Sequence, residues 1–354
     1  MEWSPVTRQT MTALVSAMVF VGLAIGLAVI PVPFVVFTPG GAVDVMATNE
    51  EGEPLVDLGS VQTYPTTGRL EMTTVAVTQV SGTVGVPEAI LAHFLPSRET
   101  LPREAYYREG VTADEIDQQS STDMTTSQDS ALIAALREAG QPVEERPEVA
   151  SVTSAGPAEG LLQAGDLIVE VGGVTTRAPS EVTSLIGRYE VGDEVTFLIL
   201  REGREMTIPV VLGASNSDTG APIVGIELTT GYRATPQVSY NVDPAIGGPS
   251  AGLIFALAIY DKITPEPLLG DLTIAGSGEI TPDGVVGEIG GVDEKIAAAE
   301  RSGATAFLTP AGNCADITSN HPDIAVVPVS SLAEAIDAVD LLRDPATAGQ
   351  VPRC

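Results

Sequence analysis

The stretch GGPSAGLIFALAIY (247–260) decides the fold of the carboxyl-terminal part of this chain. Pro249 suits the first position of a helix, because its fixed φ is helical and its missing N–H would have no partner there. LIFALAIY is apolar on every face, which predicts a buried helix. Ser250 then lies at a helix amino terminus, where free backbone N–H groups can stabilise an oxyanion. From GPSAG alone, a serine that only caps a tight turn is the favoured interpretation.

Lys295 is the second informative residue, 45 residues after Ser250 in IGGVDEKIAAAERSGA (289–304). Only two of the 17 basic residues are lysines, and a lysine can lose its proton whereas an arginine cannot. A glycine pair places Lys295 in the first turn of a helix, where the helix dipole disfavours positive charge. Its apolar neighbours also lower the lysine pKa; they are Ile289, Val292 and Ile296. A solvated surface lysine is the alternative.

GGPSAG together with AGSGEITPDGVVGEIGGVDEKIAAAERSGATAFLTPAGN (275–313) resembles the proteolytic domain of the Lon family. The resemblance implies an α/β protease domain over 221–345, with Ser250 as nucleophile and Lys295 as general base. Ser277 stands where the family commonly has a threonine that orients the lysine amine. The implied oxyanion hole lies among Gly248, Pro249, Ser250 and Ala251. Lon-type domains assemble as rings, so the resemblance also implies a homo-oligomer, such as a hexamer.

The chain departs from the ATP-dependent members of that family in two places. The acidic residue often found three positions before the serine is Gly247 here. Tyr240, Asn241 and Asp243 occupy the stretch where histidines can stand. These departures concern auxiliary residues rather than the serine and the lysine. Neither lysine lies in a G-x-x-x-x-G-K-[ST] loop, so we expect cleavage without ATP and without a cofactor.

A second unit is expected at 147–213. Its string GPAEGLLQAGDLIVEVGG (156–173) resembles the signature of PDZ domains, particularly those of membrane-bound bacterial proteases. PDZ domains bind an extended peptide by adding it as a strand beside a helix. The resemblance implies that Val182, Leu185 and Ile186 face that groove, and ordinary core packing explains these three residues equally well.

Residues 11–30 (MTALVSAMVFVGLAIGLAVI) carry no charge, and twenty helical residues span about 30 Å, the thickness of a bilayer core. We expect 1–30 to be a cytoplasmic tip and an uncleaved membrane anchor. A signal peptide cleaved near 26–28 is the alternative, but the apolar run continues beyond that site. Arg8 precedes the segment and Arg69 is the next basic residue, so the positive-inside rule places the amino terminus in the cytoplasm. The PDZ and protease domains of this single-pass protein of the cell membrane then lie outside.

The remaining ranges complete an α+β multidomain fold. Residues 31–146 are extended and turn-rich, which predicts a juxtamembrane β-rich region with a helix near 112–139. Residues 346–354 form a carboxyl-terminal tail. The order of anchor, PDZ domain and Lon-type domain resembles the PDZ-containing Lon-like proteases of Gram-positive bacteria, actinobacteria among them.

Charge and cysteines limit the partners. The net charge of −30 makes nucleic acid a poor partner. No His, Cys and Asp cluster has metal-ligand spacing, so we predict no metal. Cys314 and Cys354 fit an oxidising compartment, and a disulfide between them would contribute about 2–4 kcal/mol. Two unpaired thiols are the alternative.

These features predict an ATP-independent serine endopeptidase that cleaves unfolded or flexible proteins outside the cytoplasmic membrane. Its PDZ domain would select or present peptide ends. Two alternatives stay open. One is a non-enzymatic PDZ scaffold on a decayed protease fold. The other is an α/β-hydrolase, because GPSAG also satisfies G-x-S-x-G; that scheme needs a histidine, and only His321 follows Ser250.

Overall fold

The computed structural model describes residues 7–59, 61–95, 97–201, 203–215, 220–233, 238–321 and 323–354. The chain forms two compact units, one built from 1–139 and 238–354 and the other from 140–237. The second unit is therefore inserted into the sequence of the first. This division differs from the predicted boundaries at 146, 213 and 221, because strands from both sides of the insertion build one sheet. Within the predicted tip and anchor at 1–30, residues 1–6 lie outside the described residues.

The amino-terminal part of the first unit begins with an apolar helix. Its elements are α1 (Arg8–Val29), β1 (Pro31–Val32), β2 (Phe34–Asp44), β3 (Val56–Asp57), β4 (Arg69–Val77), β5 (Val84–Gly85), α2 (Val86–Phe94), β6 (Glu99–Pro102), α3 (Arg103–Tyr106) and α4 (Ala113–Glu138). Within α1, Arg8–Leu27 is long and apolar enough to cross a membrane. Helix α4 opens with a capping box, in which the Glu115 N–H donates to Thr112 Oγ1 at 3.2 Å and the Thr112 N–H donates to Glu115 Oε2 at 2.9 Å. It lies within the stretch 112–139 where a helix was expected.

The second unit contains an antiparallel sheet and a helix of eight residues. Its elements are β7 (Glu144–Val152), β8 (Leu167–Val171), β9 (Val174–Thr175), α5 (Pro179–Ile186), β10 (Glu194–Arg201), β11 (Arg204–Val211), β12 (Gly213–Ala214), β13 (Pro222–Ile223) and β14 (Ile226–Arg233). The sheet order is β11-β10-β8-β7-β14. Strand β14 comes last in sequence yet pairs with β7, with Ile226 opposite Val152. The predicted end of this domain at 213 therefore leaves out an edge strand.

The core of the second unit contains the residues that were expected to face a peptide groove. Val182, Leu185 and Ile186 are 2, 8 and 6 % exposed and belong to one hydrophobic cluster. Core packing is thus the interpretation that the structure supports for all three, because the apolar face of the short helix α5 covers the sheet. A partly buried ion pair holds the turn directly before β8, with two Arg201–Asp166 hydrogen bonds of 2.7 Å.

The carboxyl-terminal part of the first unit alternates strands and helices. Its elements are β15 (Ser239–Tyr240), α6 (Gly252–Ile263), β16 (Thr273–Gly276), β17 (Glu279–Ile280), β18 (Val286–Gly287), α7 (Val292–Ser302), β19 (Ala306–Pro310), β20 (Ala325–Val329) and α8 (Leu332–Arg343), with 3-10 turns at Pro249–Ala251, Ala311–Asp316 and Ala348–Gln350. Residues 253–259 of α6 are all 0 % exposed, which confirms the predicted buried helix.

One mixed sheet joins the two parts of the first unit, in the order β20-β19-β16-β4-β2-β6. Strand β4 runs parallel to β16, with Leu70 opposite Ile274, and antiparallel to β2, with Val77 opposite Phe37. The region 31–146 therefore supplies central strands of this sheet rather than a separate juxtamembrane domain. Its alternating apolar residues predict strands, but they carry no information about partners so far along the chain.

The carboxyl terminus is tied to the same unit. Cys314, in the 3-10 turn Ala311–Asp316, forms a disulfide with Cys354. The Cys354 N–H also donates to the Val326 carbonyl oxygen of β20 at 3.1 Å. The predicted tail at 346–354 is thereby held against the sheet.

Candidate active site

Ser250 lies in the 3-10 turn directly before α6, and helix α4 holds that turn at two points. The Gly248 N–H donates to the Ser120 carbonyl oxygen at 2.9 Å, and the Ser127 hydroxyl donates to the Pro249 carbonyl oxygen at 2.6 Å. Gly248 has a φ of 91°, a conformation that favours glycine. The position of Ser250 therefore depends on a helix that lies more than a hundred residues earlier in the sequence, since Ser127 and Pro249 are 122 positions apart.

Gly247 has a steric reason to be glycine. A Cβ at this position would lie 2.2 Å from Ser120 Oγ and 3.0 Å from Ser120 Cβ. A carboxylate side chain here would require Ser120 of α4 to shift, which gives a steric reason for this departure from the Lon pattern.

Lys295 and Ser277 meet Ser250 through their side chains. Lys295 Nζ lies 2.9 Å from Ser250 Oγ and 2.9 Å from Ser277 Oγ. The Ser277 hydroxyl donates to the Ser250 carbonyl oxygen at 2.8 Å. Because its proton is used there, Ser277 Oγ acts as acceptor toward the amine. A neutral Lys295 amine can then donate to Ser277 and keep its lone pair for the proton of the Ser250 hydroxyl.

The electrostatic setting favours a neutral amine. Lys295 is 4 % exposed, and burial lowers its pKa from 10.5 to about 8, against the opposing effect of Glu279 and Glu294. At an ordinary pKa of about 10.4, a neutral lysine at pH 7 would cost about 4.6 kcal/mol. At a pKa of about 8 the cost falls to about 1.4 kcal/mol. A group with that pKa can act as a base near neutral pH.

Ser250 and Lys295 open onto a cleft of about 840 Å³. One wall is the end of β4, residues 73–77, and another is α4. The pairing of β4 with β16 stops at Met72, whereas its pairing with β2 continues to Val77. Backbone groups on one edge of 73–77 therefore face the cleft. Its apolar lining includes Phe37, Tyr106, Ile116 and Met124, and its acidic lining includes Asp117 and Glu279.

Backbone hydrogen bonds show which of the four residues predicted near the oxyanion hole can still donate an N–H. Pro249 has no N–H to donate. The Gly248 N–H already donates to Ser120 at 2.9 Å. Ala251 ends the 3-10 turn that begins after Gly248, where its N–H is placed to donate to the Gly248 carbonyl oxygen. Of the four predicted residues, Ser250 is therefore the one whose backbone N–H is the candidate to meet an oxyanion.

The histidine required by the α/β-hydrolase interpretation has other partners. His321 Nδ1 lies 3.1 Å from Glu300 Oε2, and His321 Nε2 lies 3.4 Å from Asp293 Oδ1. Both ring nitrogens thus contact carboxylates, while the Ser250 hydroxyl contacts a lysine. The α/β-hydrolase interpretation therefore lacks a histidine that could act as the base for Ser250.

The other residues that depart from the Lon pattern have structural contacts. The Tyr240 hydroxyl donates to the Gln128 carbonyl oxygen of α4 at 2.9 Å. The Asn241 amide donates to the Pro54 carbonyl oxygen at 2.7 Å. Asp243 accepts the Ala245 N–H at 2.9 Å. None of these three contacts involves Ser250 or Lys295.

Comparison with known families agrees with this geometry. The family described as the Lon protease (S16) C-terminal proteolytic domain matches residues 243–339, which hold Ser250, Ser277 and Lys295. The PDZ domain family matches 123–212. The chain contains a Lon proteolytic domain and a PDZ domain. The family and its relatives support a serine peptidase, and the predicted protease and PDZ assignments are confirmed at that level.

The similar proteins share only part of their length with this chain. Lon protease 2 of Bacillus subtilis is 38 % identical over 102 residues, which are 29 % of this chain and 18 % of that protein. Lon protease of Rhizobium meliloti is 42 % identical over 103 residues, 28 % of this chain and 12 % of that protein. The PDZ domain of an SdrC-like protein from Listeria monocytogenes is 31 % identical, covers 23 % of this chain and 86 % of the other, and has a TM-score of 0.22.

Proposed function

We propose that this protein is a membrane-anchored, ATP-independent serine endopeptidase with Ser250 as nucleophile and Lys295 as general base. One observation carries the proposal: a lysine that is 4 % exposed has its Nζ 2.9 Å from the hydroxyl of a serine at the start of a buried helix. Burial of the amine explains how it can be neutral, and the helix start explains how N–H groups can meet an oxyanion.

The reaction balances with these groups alone. Ser250 Oγ attacks the peptide carbonyl carbon and passes its proton to Lys295 Nζ, while the Ser250 N–H stabilises the oxyanion. The Lys295 ammonium returns the proton to the leaving amine, which leaves an acyl ester on Ser250. Water, deprotonated by Lys295, then hydrolyses the ester and releases the second product.

The cleft favours an extended substrate. A peptide that adds as a strand to the edge of 73–77 would satisfy backbone groups that β16 leaves unpaired, and it would pass Ser250. Most backbone groups of a folded protein are already paired in its own secondary structure, so we propose unfolded proteins, loops and tails as substrates. The sequence holds no Walker A motif, which supports cleavage without ATP.

The PDZ unit has its own candidate site for a peptide end. Strand β14 is the last strand of its sheet, and Gly225, directly before it, has a φ of 78°. We propose that a peptide carboxyl terminus adds to the edge of β14 that faces away from β7 and that the turn at Gly225 receives its carboxylate. This places the groove at β14 rather than at the buried side chains of α5. We further propose that α1 anchors a homo-oligomer with both domains outside the cytoplasm.

Cleavage of an unfolded protein by the 354-residue chain in lipid nanodiscs, without ATP, tests the proposal. The wild type should cleave, and the variants Ser250→Ala and Lys295→Ala should not. Retained cleavage in either variant would refute the Ser–Lys mechanism. A wild type that cleaves nothing while its PDZ unit binds peptides would favour the scaffold alternative.

A further inference from the structure

Helix α2 exposes large apolar side chains to an unusual degree. Ile90, Leu91 and Phe94 are 54, 55 and 76 % exposed. Among large hydrophobic side chains in the part of the chain that the structure describes, Phe94 has the highest exposure, and Phe20 in α1 follows at 73 %. Exposed apolar clusters of this kind mark contact surfaces.

Helix α2 turns its large apolar side chains outward, whereas an ordinary surface helix turns them toward the core. Positions 90, 91 and 94 share one face, because residues four apart are neighbours on a helix. On its other side, the small residues Ala89 and Ala92 pack on Val36 and Val84. A helix that only covered the core would turn its large apolar residues inward. The outward face of α2 therefore requires an apolar partner.

The position of α2 in the fold identifies that partner. Helix α1 ends at Val29, and strand β1 follows at Pro31–Val32. Strand β1 pairs with β5 at Val84–Gly85, and α2 begins at the next residue. Helices α1 and α2 are also in direct contact. Nine helical residues extend about 14 Å, so all of α2 lies close to the end of the candidate membrane span.

We propose that α2 is an interfacial helix that inserts Ile90, Leu91 and Phe94 into the surface of the bilayer that α1 spans. The inference rests on the membrane anchor of the proposed function. The apolar surface of α1 continues to its end, where Leu27 and Ile30 are 51 and 50 % exposed, so lipid that surrounds this end also reaches α2. A second copy of the chain could cover α2 only by excluding the lipid that surrounds the end of α1.

Charge determines which lipids suffice. The net charge is −30, and α2 carries Glu88 in its first turn and His93 in its last, so we expect attraction to anionic lipid to contribute little. Insertion must come from apolar area alone. The contact should therefore form on neutral phosphatidylcholine and be insensitive to salt. With α1 and α2 both attached, the first unit is held at the bilayer surface at two points.

Tryptophan fluorescence of the 354-residue chain in phosphatidylcholine vesicles tests this inference. The sequence has a single tryptophan, Trp3, so Trp3→Phe gives a dark background for Phe94→Trp. Val285→Trp in the same background is the matched control, because Val285 is 53 % exposed in the same unit. Quenching by doxyl-labelled phosphatidylcholine reports lipid contact, and quenching by acrylamide reports water contact.

Phe94→Trp should be quenched by the labelled lipid and be several-fold less sensitive to acrylamide than Val285→Trp, at low and high salt alike. Acrylamide quenching equal to that of the control would overturn the inference. Protection from both quenchers would also overturn it, since a protein partner would then cover α2. Alkaline carbonate extraction separates the two proposals: release of the protein from vesicles refutes the anchor, whereas a retained protein with a water-exposed position 94 refutes only the role of α2.

Discussion

The pH dependence of peptide cleavage should report the buried amine of Lys295. Burial lowers the pKa of this amine to about 8, and only the neutral form can accept the Ser250 proton. The neutral fraction is then about 9 % at pH 7, about 50 % at pH 8 and about 90 % at pH 9. We expect kcat/KM to rise about tenfold from pH 7 to pH 9 and then to level off. A lysine with the ordinary pKa of about 10.4 would give a rise of about a hundredfold without a plateau in this range.

The substitution Glu279→Gln tests the direction in which a nearby charge shifts the pKa of Lys295. Glu279 lines the cleft, and its carboxylate raises the pKa of Lys295. Glu279→Gln removes that charge with little change in shape, so the rising limb should move to lower pH and the rate at pH 7 should increase. Because Glu279 is exposed, solvent screening keeps this increase below about tenfold. Glu266→Gln, which changes an exposed carboxylate outside the cleft lining, is the control and should leave the profile unchanged.

The assay is the initial rate on a quenched fluorescent peptide, at substrate well below KM, between pH 6 and pH 10 at constant ionic strength. A flat profile from pH 6 to pH 9 would refute the assignment of Lys295 as base. So would a rising limb near the ordinary lysine pKa, or a Glu279→Gln profile that moves to higher pH.

Three further predictions concern stability and positioning. Lys295→Met should abolish cleavage yet raise the free energy of unfolding at pH 7 by up to about 3 kcal/mol, since the pKa of about 8 lies well below the unfolded value. Because the folded-state pKa is lowered, the free energy of unfolding of the wild type should rise with pH between about 8 and 10.5. Urea denaturation should therefore show Lys295→Met more stable than the wild type at pH 7, and this difference should disappear at pH 10. Ser127→Ala leaves the Pro249 carbonyl without its donor, so it should lower kcat more than it changes KM and destabilise by about 1 kcal/mol in the same denaturation assay. Cys354→Ser should lower the free energy of unfolding by about 2–4 kcal/mol and leave the pH profile of cleavage unchanged.

The meeting of Ser250, Lys295 and Ser277 was predictable from the resemblance to the Lon family, and Ser250 and Lys295 also carry local signals. Ser250 follows a Gly-Gly-Pro turn before an apolar helix, and Lys295 follows a glycine pair at a helix start. Such signals act within one turn of a helix, so a single sequence displays them. The catalytic roles of these residues stay predictions.

The supporting residues could not be predicted, because their contacts are not local. Ser127 lies in helix α4, whose sequence has few apolar residues. No residue next to Ser127 in the sequence indicates its hydrogen bond to the Pro249 carbonyl oxygen. One partner of β4, strand β16, lies beyond the inserted PDZ unit, and strand alternation predicts a face but not a neighbour. For the same reason the sequence does not indicate that β14 belongs to the PDZ domain, although β14 pairs with β7. Leu185 shows a different limit, since an apolar helix face looks the same in sequence whether it lines a groove or the core.

The central claim is that Lys295 acts as a base rather than as a positive charge, and exchange of each lysine for arginine tests it most directly. Cleavage of an unfolded protein without ATP should be lost in Lys295→Arg, because arginine keeps the charge but cannot release its proton. Lys262→Arg should cleave like the wild type, because Lys262 donates to the Val56 carbonyl oxygen at 2.6 Å and arginine can also donate. A Lys295→Arg protein that cleaves at a rate comparable to that of Lys262→Arg would contradict the account.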